Sequence, residues 1–426
     1  MLSLLASLVV IGGAWWAWTV VRWVWLRPRA IEKCLRQQGL NGPPYKLLHG
    51  DMKQMSAMAR HTAMNAKPIG FSDDFLPLEF EYIKIFTFNT NSSSTRRVYN
   101  RGENAENGDV QPYIDDFTSD VISRNAFGSS YEQGRRIYQL QKEQAMLTCQ
   151  VLQSVYFPGR RFLPTKKNKR MKEIDTELKS ILSKVMEKKE RVMLSRESGN
   201  HEDLLSLLLK STMTTNGNPG MSVDEAIEDC KSLYFAGQES SSNLLVWTMI
   251  LLSQHQTWQT KAREDVHQVF GQNKPNYEGL SRLKVVTMIL YEVLRLYSPG
   301  TIMTRTTYNE TKLGELTVPA GVQFLLPIIF VHHDPEIWGK DAKEFNPERF
   351  SEGIAKATKN KLAFFPFSWG PRICIGNNFA LMEAKLAIST ILRNFSFELS
   401  PSYTHSPSYV VTLQPRYGAH LILHKI

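Results

Sequence analysis

The sequence predicts a mainly α-helical protein with small β-sheets (an α+β fold) behind an N-terminal membrane helix. The first 21 residues carry no charged side chain. Several later segments have the apolar spacing and the caps of long helices. Residues 301–331 are rich in Thr, Val, Ile and Phe with turn residues between them, which is typical of short strands. We therefore expect one anchor followed by a helical body.

The composition supports a large folded body. The chain has 426 residues, of which 42% are hydrophobic, and this is enough apolar material for a sizeable core. It excludes a disordered chain, a collagen-like repeat and a small disulfide scaffold, because the four cysteines are few and scattered. The length allows two or three domains or one large one. The net charge of +10 favours an acidic partner, an anionic membrane or nucleic acid.

The N-terminus sets the predicted location. Residues 1–26 form the expected anchor, because about 20 apolar residues span a bilayer. The basic residues begin at Arg22, after the apolar stretch, so the positive-inside rule leaves the rest of the chain in the cytosol. A cleaved signal peptide is the alternative. Residues 27–44 form a basic, proline-containing hinge, and residues 45–426 form the body.

Within the body, residues 87–112 have the polar, unpatterned composition of a loop. A helix is expected from Ile114, with interruptions at Gly128 and Gly134. Residues 157–197 are strongly basic. A solvated helix face explains most of that charge, and a docking patch for an acidic partner or an anionic membrane is the sharper alternative. Nucleic acid is disfavoured because no nucleic-acid-binding motif is present.

Further helices follow. Ser222 and Glu225 have the spacing of a capping box, and the helix after them extends to about Gln254. Helices are also expected over residues 281–297 and 376–392, and a C-terminal hairpin over residues 409–413 and 419–423. The sequence has no phosphate-binding loop and no dinucleotide fingerprint, so a nucleotide bound by this chain itself is disfavoured.

Residues 367–376, Phe-Ser-Trp-Gly-Pro-Arg-Ile-Cys-Ile-Gly, form the most informative segment. Gly370 and Gly376 allow tight backbone turns on either side of Cys374. The start of the following helix favours a thiolate there, and Arg372 supplies a fixed cation for a carboxylate. This combination suits an axial haem ligand. The alternative is a buried structural cysteine, which is common for this residue type.

The ten-residue pattern Phe-x-x-Gly-x-Arg-x-Cys-x-Gly resembles the ligand loop of the cytochrome P450 superfamily. The resemblance implies a P450 fold and haem b, with the Cys374 thiolate bound to the iron. It also implies that Arg372 and a second arginine, Arg305, pair with the haem propionates. The implied cofactor-binding residues are Phe367, Gly370, Arg372, Cys374, Gly376 and Arg305.

Two further marks of the family are present. Its Glu-x-x-Arg helix matches Glu292 and Arg295, and its Pro-Glu-Arg-Phe segment contains Arg349. The resemblance implies a buried triad of these three side chains, which holds the ligand loop in register. Without the other motifs, Glu292 and Arg295 would be read as a pair on the surface of a helix.

The segment Ala236-Gly237-Gln238-Glu239-Ser240 resembles the oxygen-activation helix of the family. The resemblance implies that Gly237 lets the helix kink and leaves room for dioxygen. It implies that Glu239 and Ser240 relay protons. The family usually has Thr at the position of Ser240. Serine keeps the hydroxyl group but lacks the methyl group that limits the rotamers, so we expect some leakage of reducing equivalents.

The resemblance is closest to a plant branch that includes secologanin synthase and other terpenoid and hormone hydroxylases. It implies a monooxygenase in the endoplasmic reticulum membrane, with electrons delivered from NADPH by a separate reductase. Family members have a Trp-x-x-x-Arg helix near the haem, but this chain has no Trp between Trp25 and Trp247. We therefore expect an incomplete P450 fold, with a deletion around residues 87–109.

Other interpretations remain open at this stage. The deletion allows a shortened isoform or gene-model product without haem or activity. A haem-thiolate rearrangement enzyme that uses a peroxide is disfavoured by Glu239 and Ser240, because such enzymes need no proton relay. Adjacent His332 and His333 are expected to cap a turn or lie on the surface, and His420 and His424 to lie on the surface.

Overall fold

The computed structural model describes residues 2–40, 106–152, 162–194, 203–212, 220–358 and 362–426. The last four residues of the predicted hinge, the start of the predicted body and most of the predicted deletion fall outside these residues. The α-helices of the described ranges are α1 (Leu2–Val21), α2 (Arg27–Gln37), α3 (Gln111–Phe127), α4 (Tyr131–Leu152), α5 (Lys166–Leu194), α6 (Leu204–Thr212), α7 (Val223–Gln254), α8 (Gln256–Phe270), α9 (Tyr277–Arg282), α10 (Val285–Leu296), α11 (Ile328–His332), α12 (Pro335–Trp338) and α13 (Asn377–Asn394).

The strands are short and form small sheets, as the sequence predicts. They are β1 (Glu106–Asp109), β2 (Met303–Thr306), β3 (Thr311–Leu313), β4 (Leu316–Val318), β5 (Gln323–Leu326), β6 (Phe395–Leu399), β7 (Pro407–Val410), β8 (Thr412–Pro415) and β9 (His420–Lys425). One sheet has the order β1-β9-β6, and β2-β5, β3-β4 and β7-β8 form two-stranded pairs. The described part is therefore mainly helical with small sheets.

The chain divides into two compact units. The first comprises Met1–Ala66, Leu147–Met171 and Thr304–Leu326, and the second comprises Lys67–Met146, Lys172–Met303 and Pro327–Ile426. In the first unit the Gln38 amide pairs with the backbone of Thr317 through two hydrogen bonds, of 2.9 and 2.7 Å. The end of α2 is thereby attached to the edge of β4.

The N-terminal segment is helical over the length expected for the anchor. Helix α1 covers 20 residues, and the five residues Arg22–Leu26 form a π-helical turn before α2. Among the residues that the structure describes, no helix combines the length and the apolar character needed to cross a membrane.

The predicted bounds of α7 are confirmed. Its N-terminus has a complete capping box, in which the Ser222 hydroxyl accepts from the Glu225 amide and the Glu225 carboxylate accepts from the Ser222 amide. Two of the free N–H groups at the helix start are thus satisfied. Further along α7 the buried Trp247 indole donates to the Leu413 carbonyl (2.9 Å) and stacks on Tyr297. Helix α7 therefore runs through the core of the second unit.

Gly134 does not interrupt a helix, contrary to the prediction. Gly128 does end α3, in the left-handed conformation typical of a C-cap glycine, but Gly134 lies inside α4. A Cβ atom at Gly134 would lie 1.6 Å from the Ser123 hydroxyl oxygen and 2.7 Å from its Cβ atom. The absence of a side chain at Gly134 therefore allows α4 to pack closely against α3.

The predicted C-terminal hairpin is also wrong. Val411 has a positive φ of 71°, and the chain folds back there, so that Val410 pairs with Thr412. Strand β9 pairs instead with β6 and β1. Neither strand is adjacent to β9 in the sequence, and β1 comes from the first half of the chain. Residues 106–109, expected to be loop, form β1 on β9. Strand partners that are distant in sequence leave no local signal.

A buried ion pair fixes the end of α10. The Arg295 Nε and Nη2 atoms donate to the two carboxylate oxygens of Glu292, each at 2.7 Å, and neither side chain is exposed. The remaining Arg295 donors reach the carbonyl groups of His332 (2.8 Å), Ala342 (2.5 Å) and Glu344 (3.1 Å). The guanidinium group thus binds α10 to the chain segment that follows α11.

Arg349 completes the cluster. Its Nε lies 3.5 Å from a Glu292 oxygen, its Nη1 donates to the Trp338 carbonyl (2.8 Å), and its Nη2 pairs with Asp341 (2.5 Å). The same Glu292 oxygen accepts from the Asn346 amide at 2.9 Å. Because a buried charge is costly unless it is paired and hydrogen-bonded, these contacts hold residues 338–349 in one arrangement.

Replacing Glu292 by Gln should destabilise the second unit strongly. Arg295 would lose its counter-charge in a fully buried site, and breaking a buried pair in this way costs about 3–5 kcal/mol. Chemical unfolding of the purified chain measures the change. Glu352→Gln, which breaks the exposed pair with Lys356, is the matched control and should have little effect. Equal losses in both variants would contradict the structural role of Glu292.

Gly134→Ala should lower the free energy of unfolding by about 1–3 kcal/mol, because the added methyl group overlaps Ser123 across the α3–α4 contact. Gly108→Ala is the control, because a Cβ atom at Gly108 has open space around it. The midpoints of thermal unfolding compare the two variants. A Gly134→Ala protein as stable as the parent would show that α3 and α4 do not pack this closely.

Candidate active site around Cys374

His332 links the buried ion cluster to the segment before Cys374. It was expected to cap a turn or lie on the surface, but both His332 and His333 are buried. The His332 Nε2 accepts from the Phe365 amide at 3.3 Å, and its ring stacks on Phe364. Burial holds the pKa of His332 well below its usual value, so the ring is neutral and can accept this bond. Arg295 binds the carbonyl of the same residue.

The loop around Cys374 is shaped by backbone hydrogen bonds. The Ser368 amide donates to the Phe365 carbonyl (2.9 Å), and the Cys374 amide donates to the Phe367 carbonyl (3.2 Å). Ser368 and Gly370 have positive φ values of 68° and 79°. At Gly370 this conformation favours glycine. Residues 370–372 form a single 3₁₀ turn, and the chain then enters α13 through Gly376.

One side of this loop is open. Cys374 is half-buried, whereas Trp369 is 61% exposed and Ile375 is 41% exposed. A Cβ atom added to Gly370 would meet nothing within 4 Å. A half-buried sulfur three residues before the start of a helix, beside an open glycine face, fits a flat group bound through its metal. The donor set and the space therefore fit a haem.

The two arginines assigned to the haem propionates have different surroundings. Arg372 lies on the 3₁₀ turn beside Cys374 and is exposed. Arg305 lies on β2, is half-buried, and donates to the carbonyl of Thr304. Arg305 belongs to the first unit and Cys374 to the second. The pairing of Arg305 with a propionate stays a prediction.

Gly237 lies at a contact between helices. A Cβ atom there would be 2.7 Å from the Ile122 Cδ1 of α3, and α7 continues as a helix from Val223 to Gln254. The structure thus assigns Gly237 to the close packing of α7 on α3. The helix assignment is unbroken through Gly237, and the predicted kink and the role in leaving room for dioxygen stay predictions.

Glu239 and Ser240, the predicted relay pair, make different contacts. The Ser240 hydroxyl donates to the Ala236 carbonyl at 2.6 Å, on a partly exposed face of α7. The Glu239 side chain is buried, accepts from the Thr412 hydroxyl (2.9 Å) and shares a hydrogen bond with the Tyr138 hydroxyl (3.0 Å). Burial raises the pKa of the Glu239 carboxyl, with Lys142 opposing the shift. Such a group holds a proton more readily than an exposed glutamate does.

The side chains around Glu239 could not be identified from the sequence. Tyr138, Asp115 and Lys142 come from α3 and α4, about 100 residues or more before Glu239, and Thr412 comes from β8. Nothing in their local sequence distinguishes them from ordinary helix residues. A buried tyrosine next to a buried carboxylate becomes recognisable only once the helices are packed.

Glu383 is a second buried acid that the sequence did not single out. It lies on α13, nine residues after Cys374, and is fully buried. Burial raises its pKa to about 8, against a small opposing effect of the Ser241 hydroxyl on α7. The carboxyl group is therefore mostly neutral at pH 7 and lies between α13 and α7 without a charge. The only sequence signal is a single acid within an apolar stretch of helix.

The two C-terminal histidines of the described ranges, His420 and His424, contact protein groups. His424 pairs with Glu398 across two strands, and His420 contacts the Tyr417 carbonyl. Within the described ranges, no cluster of three or more His, Cys, Asp or Glu side chains is arranged to hold a metal ion.

Comparison with known proteins agrees with the loop around Cys374. The family model "Cytochrome P450" matches residues 79–420. Cytochrome P450 CYP72A219 of Panax ginseng is 47% identical, over 96% of each chain. Cytochrome P450 72A15 of Arabidopsis thaliana is 43% identical, over 100% of this chain and 99% of its own length. The 7-deoxyloganic acid hydroxylase of Catharanthus roseus is 42% identical, over 97% of this chain and 96% of its own length.

These relatives are longer than this chain within the matched region. The alignment with the ginseng protein extends over 498 residues and this chain has 426, so at least 72 residues of the relative lie opposite gaps in this chain. The match to the family nevertheless covers most of the chain and includes the loop around Cys374. The alternative of a product without haem or activity is therefore not favoured. The chain belongs to the cytochrome P450 family and is a monooxygenase whose cofactor is a haem iron.

Proposed function

We propose that the protein hydroxylates an apolar small molecule of terpenoid or hormone-like type, with one oxygen atom taken from O₂ and the other released as water. The observation that carries the proposal is the geometry of the Cys374 loop. The loop is exposed on one side, at Trp369 and Ile375, and the segment before it is hydrogen-bonded to the buried His332. The substrate class rests on the relatives, one of which is named for the hydroxylation of 7-deoxyloganic acid.

The residues of the loop have separate tasks in this proposal. Cys374 binds the haem iron, while Phe367, Gly370 and Gly376 shape the surface on which the ring lies. Arg372 and Arg305 pair with the propionates, because a guanidinium group matches a carboxylate with two parallel bonds. When bound, haem would supply the oxygen-activating iron chemistry, with the Cys374 thiolate as the ligand that supports it.

Glu239 and Ser240 supply protons in this proposal. The raised pKa of Glu239 supports the role of proton donor, because burial makes this carboxyl hold a proton at higher pH than an exposed glutamate does. The hydroxyl of Ser240, on the partly exposed face of α7, orients the last step of the transfer. Gly237 sets the distance between α7 and α3.

Electrons come from NADPH through a separate flavoprotein reductase. Two observations support a partner: the sequence has no dinucleotide-binding fingerprint, and the net charge of +10 suits an acidic reductase and an anionic membrane. We propose a single-pass protein of the endoplasmic reticulum membrane, with α1 as the anchor and the body in the cytosol. The uncharged start and the arginines after it support this orientation.

Cys374→Ser should abolish the thiolate-type Soret band of the reduced protein under carbon monoxide, because serine cannot supply the sulfur ligand. The full chain, expressed with haem precursors, is compared with this variant by difference spectroscopy. Cys34→Ser, which changes a half-buried cysteine of α2, is the matched control and should retain the band. A band that persists in Cys374→Ser would refute the ligand assignment. A parent chain without the band would refute the proposed function.

Ser240→Thr should increase the yield of hydroxylated product per NADPH consumed. The added methyl group limits the rotamers of the hydroxyl that delivers the proton, so fewer electrons are lost to peroxide. Ser240→Ala should lower that yield, because it removes the hydroxyl group. Product and peroxide are measured in the same reaction with a P450 reductase. Identical yields in all three proteins would exclude Ser240 from the relay.

A further inference from the structure

A buried polar cluster joins α3, α4, α7 and β8 around Glu239. Its members make direct hydrogen bonds to one another, and all belong to the second unit: Asp115, Tyr138, Lys142, Glu239, Ser242, Asn243 and Thr412. Such a cluster is expensive to bury unless every member is satisfied. The position of each proton in the cluster follows from asking which atom donates each hydrogen bond.

The hydroxyl of Tyr138 lies between two carboxyl groups. Its oxygen is 3.0 Å from the Glu239 Oε2 and 3.2 Å from the Asp115 Oδ2. A phenol has one proton and donates one such bond. The second bond therefore has to be donated by a carboxyl group that carries a proton. One of the two acids is neutral when the cluster has this geometry.

The surroundings of the two acids indicate which one is neutral. The Asp115 Oδ2 also accepts from the Lys142 ammonium group at 2.9 Å, and its Oδ1 accepts from the Ser242 hydroxyl at 2.5 Å. These contacts stabilise an anion. Glu239 is more deeply buried and has no cation within hydrogen-bond distance among the contacts described, and burial raises its pKa. Glu239 thus donates to Tyr138, and Tyr138 donates to Asp115.

The outer end of this chain of hydrogen bonds reaches a surface cavity. The cavity has a volume of about 470 Å³, and Asp115 and Lys142 line it together with polar residues that include Asp109 and Arg416. The Lys142 side chain is 38% exposed, whereas Tyr138 and Glu239 are buried. Water in this cavity can exchange protons with Lys142, whereas the buried Glu239 does not line the cavity.

We propose that Lys142, Asp115 and Tyr138 form a proton-conducting chain that recharges Glu239 from the solvent in this cavity. This inference rests on the proposed function, in which Glu239 gives up protons during hydroxylation. It adds the route by which the donor is refilled and three residues that position or carry the proton.

The transfer balances at each link. When Glu239 has lost its proton, the Tyr138 hydroxyl rotates from Asp115 toward the Glu239 Oε2. The Lys142 ammonium group passes a proton to the Asp115 carboxylate and regains one from water. The Tyr138 proton then passes to the Glu239 Oε2 while the Asp115 proton passes to the Tyr138 oxygen, so the new Tyr138 hydroxyl points at Asp115 as it did at the start. One proton leaves the solvent and one reaches Glu239, and only O–H and N–H bonds change.

Infrared difference spectroscopy tests the neutral state of Glu239 on the full chain without turnover. We expect carbonyl stretching bands from two protonated carboxyl groups, Glu239 and Glu383. Glu239→Gln should remove one band and leave the other as an internal reference. Tyr138→Phe should move the same band to higher frequency, because the carboxyl group loses its acceptor. Bands unaffected by both variants would overturn the inference.

Turnover tests the conduction. Tyr138→Phe keeps the aromatic ring but breaks the chain, so product formation should fall about tenfold or more and show a larger slowing in heavy water. Tyr234→Phe is the matched control, because it removes another buried hydroxyl, bonded to Ser129, from a position outside the chain. It should leave both quantities as in the parent.

The outcomes separate this inference from the proposed function. If the parent protein lacks the thiolate-type band or makes no product, the proposed function fails. If the parent hydroxylates its substrate and Tyr138→Phe matches it in rate and in heavy-water slowing, the proton-conducting chain is wrong. If Tyr138→Phe and Tyr234→Phe lose haem and stability equally, Tyr138 has only a structural role, which also overturns the inference.

Discussion

The Glu292 carboxylate is the constraint on which the described second unit depends. A charge without any solvent exposure is tolerated only when cations and donors surround it, and here two arginines and the Asn346 amide do so. The arginines in turn use their other donors on carbonyl groups between His332 and Glu344. One buried charge therefore fixes a long irregular segment. His332, at the start of that segment, accepts a hydrogen bond from the Phe365 amide just before the Cys374 loop and so connects the two.

Helix α7 combines three different environments along its length. Its C-terminal half is core, with Trp247 packed on Tyr297. In its middle, Glu239 points into a polar cluster, while Ser240 lies on a partly exposed face only one residue further on. Because successive residues of a helix point about 100° apart, one short segment can present both a buried carboxyl group and a partly exposed hydroxyl group. The glycine and serines that weaken the helix lie in this segment.

Local features of the fold could be predicted, and long-range ones could not. The capping box at Ser222 and the length of α7 depend on neighbouring residues, and the sequence located both correctly. The position of β9 between β6 and β1, and the burial of His332, depend on partners remote in the chain. The Cys374 loop was recognisable because its spacing is specific. Tyr138 was not, because its two acidic partners lie on other helices.

We propose that the Cys374 loop of this chain binds haem, although the relatives are longer within the matched region. Titration of the purified full chain with haem, followed by absorption spectroscopy, tests this most directly. We predict saturation at one haem per chain, with the spectrum of a thiolate-bound iron. Binding that never saturates, or saturation with a spectrum that lacks the thiolate signature, would contradict the assignment of Cys374 as the haem ligand.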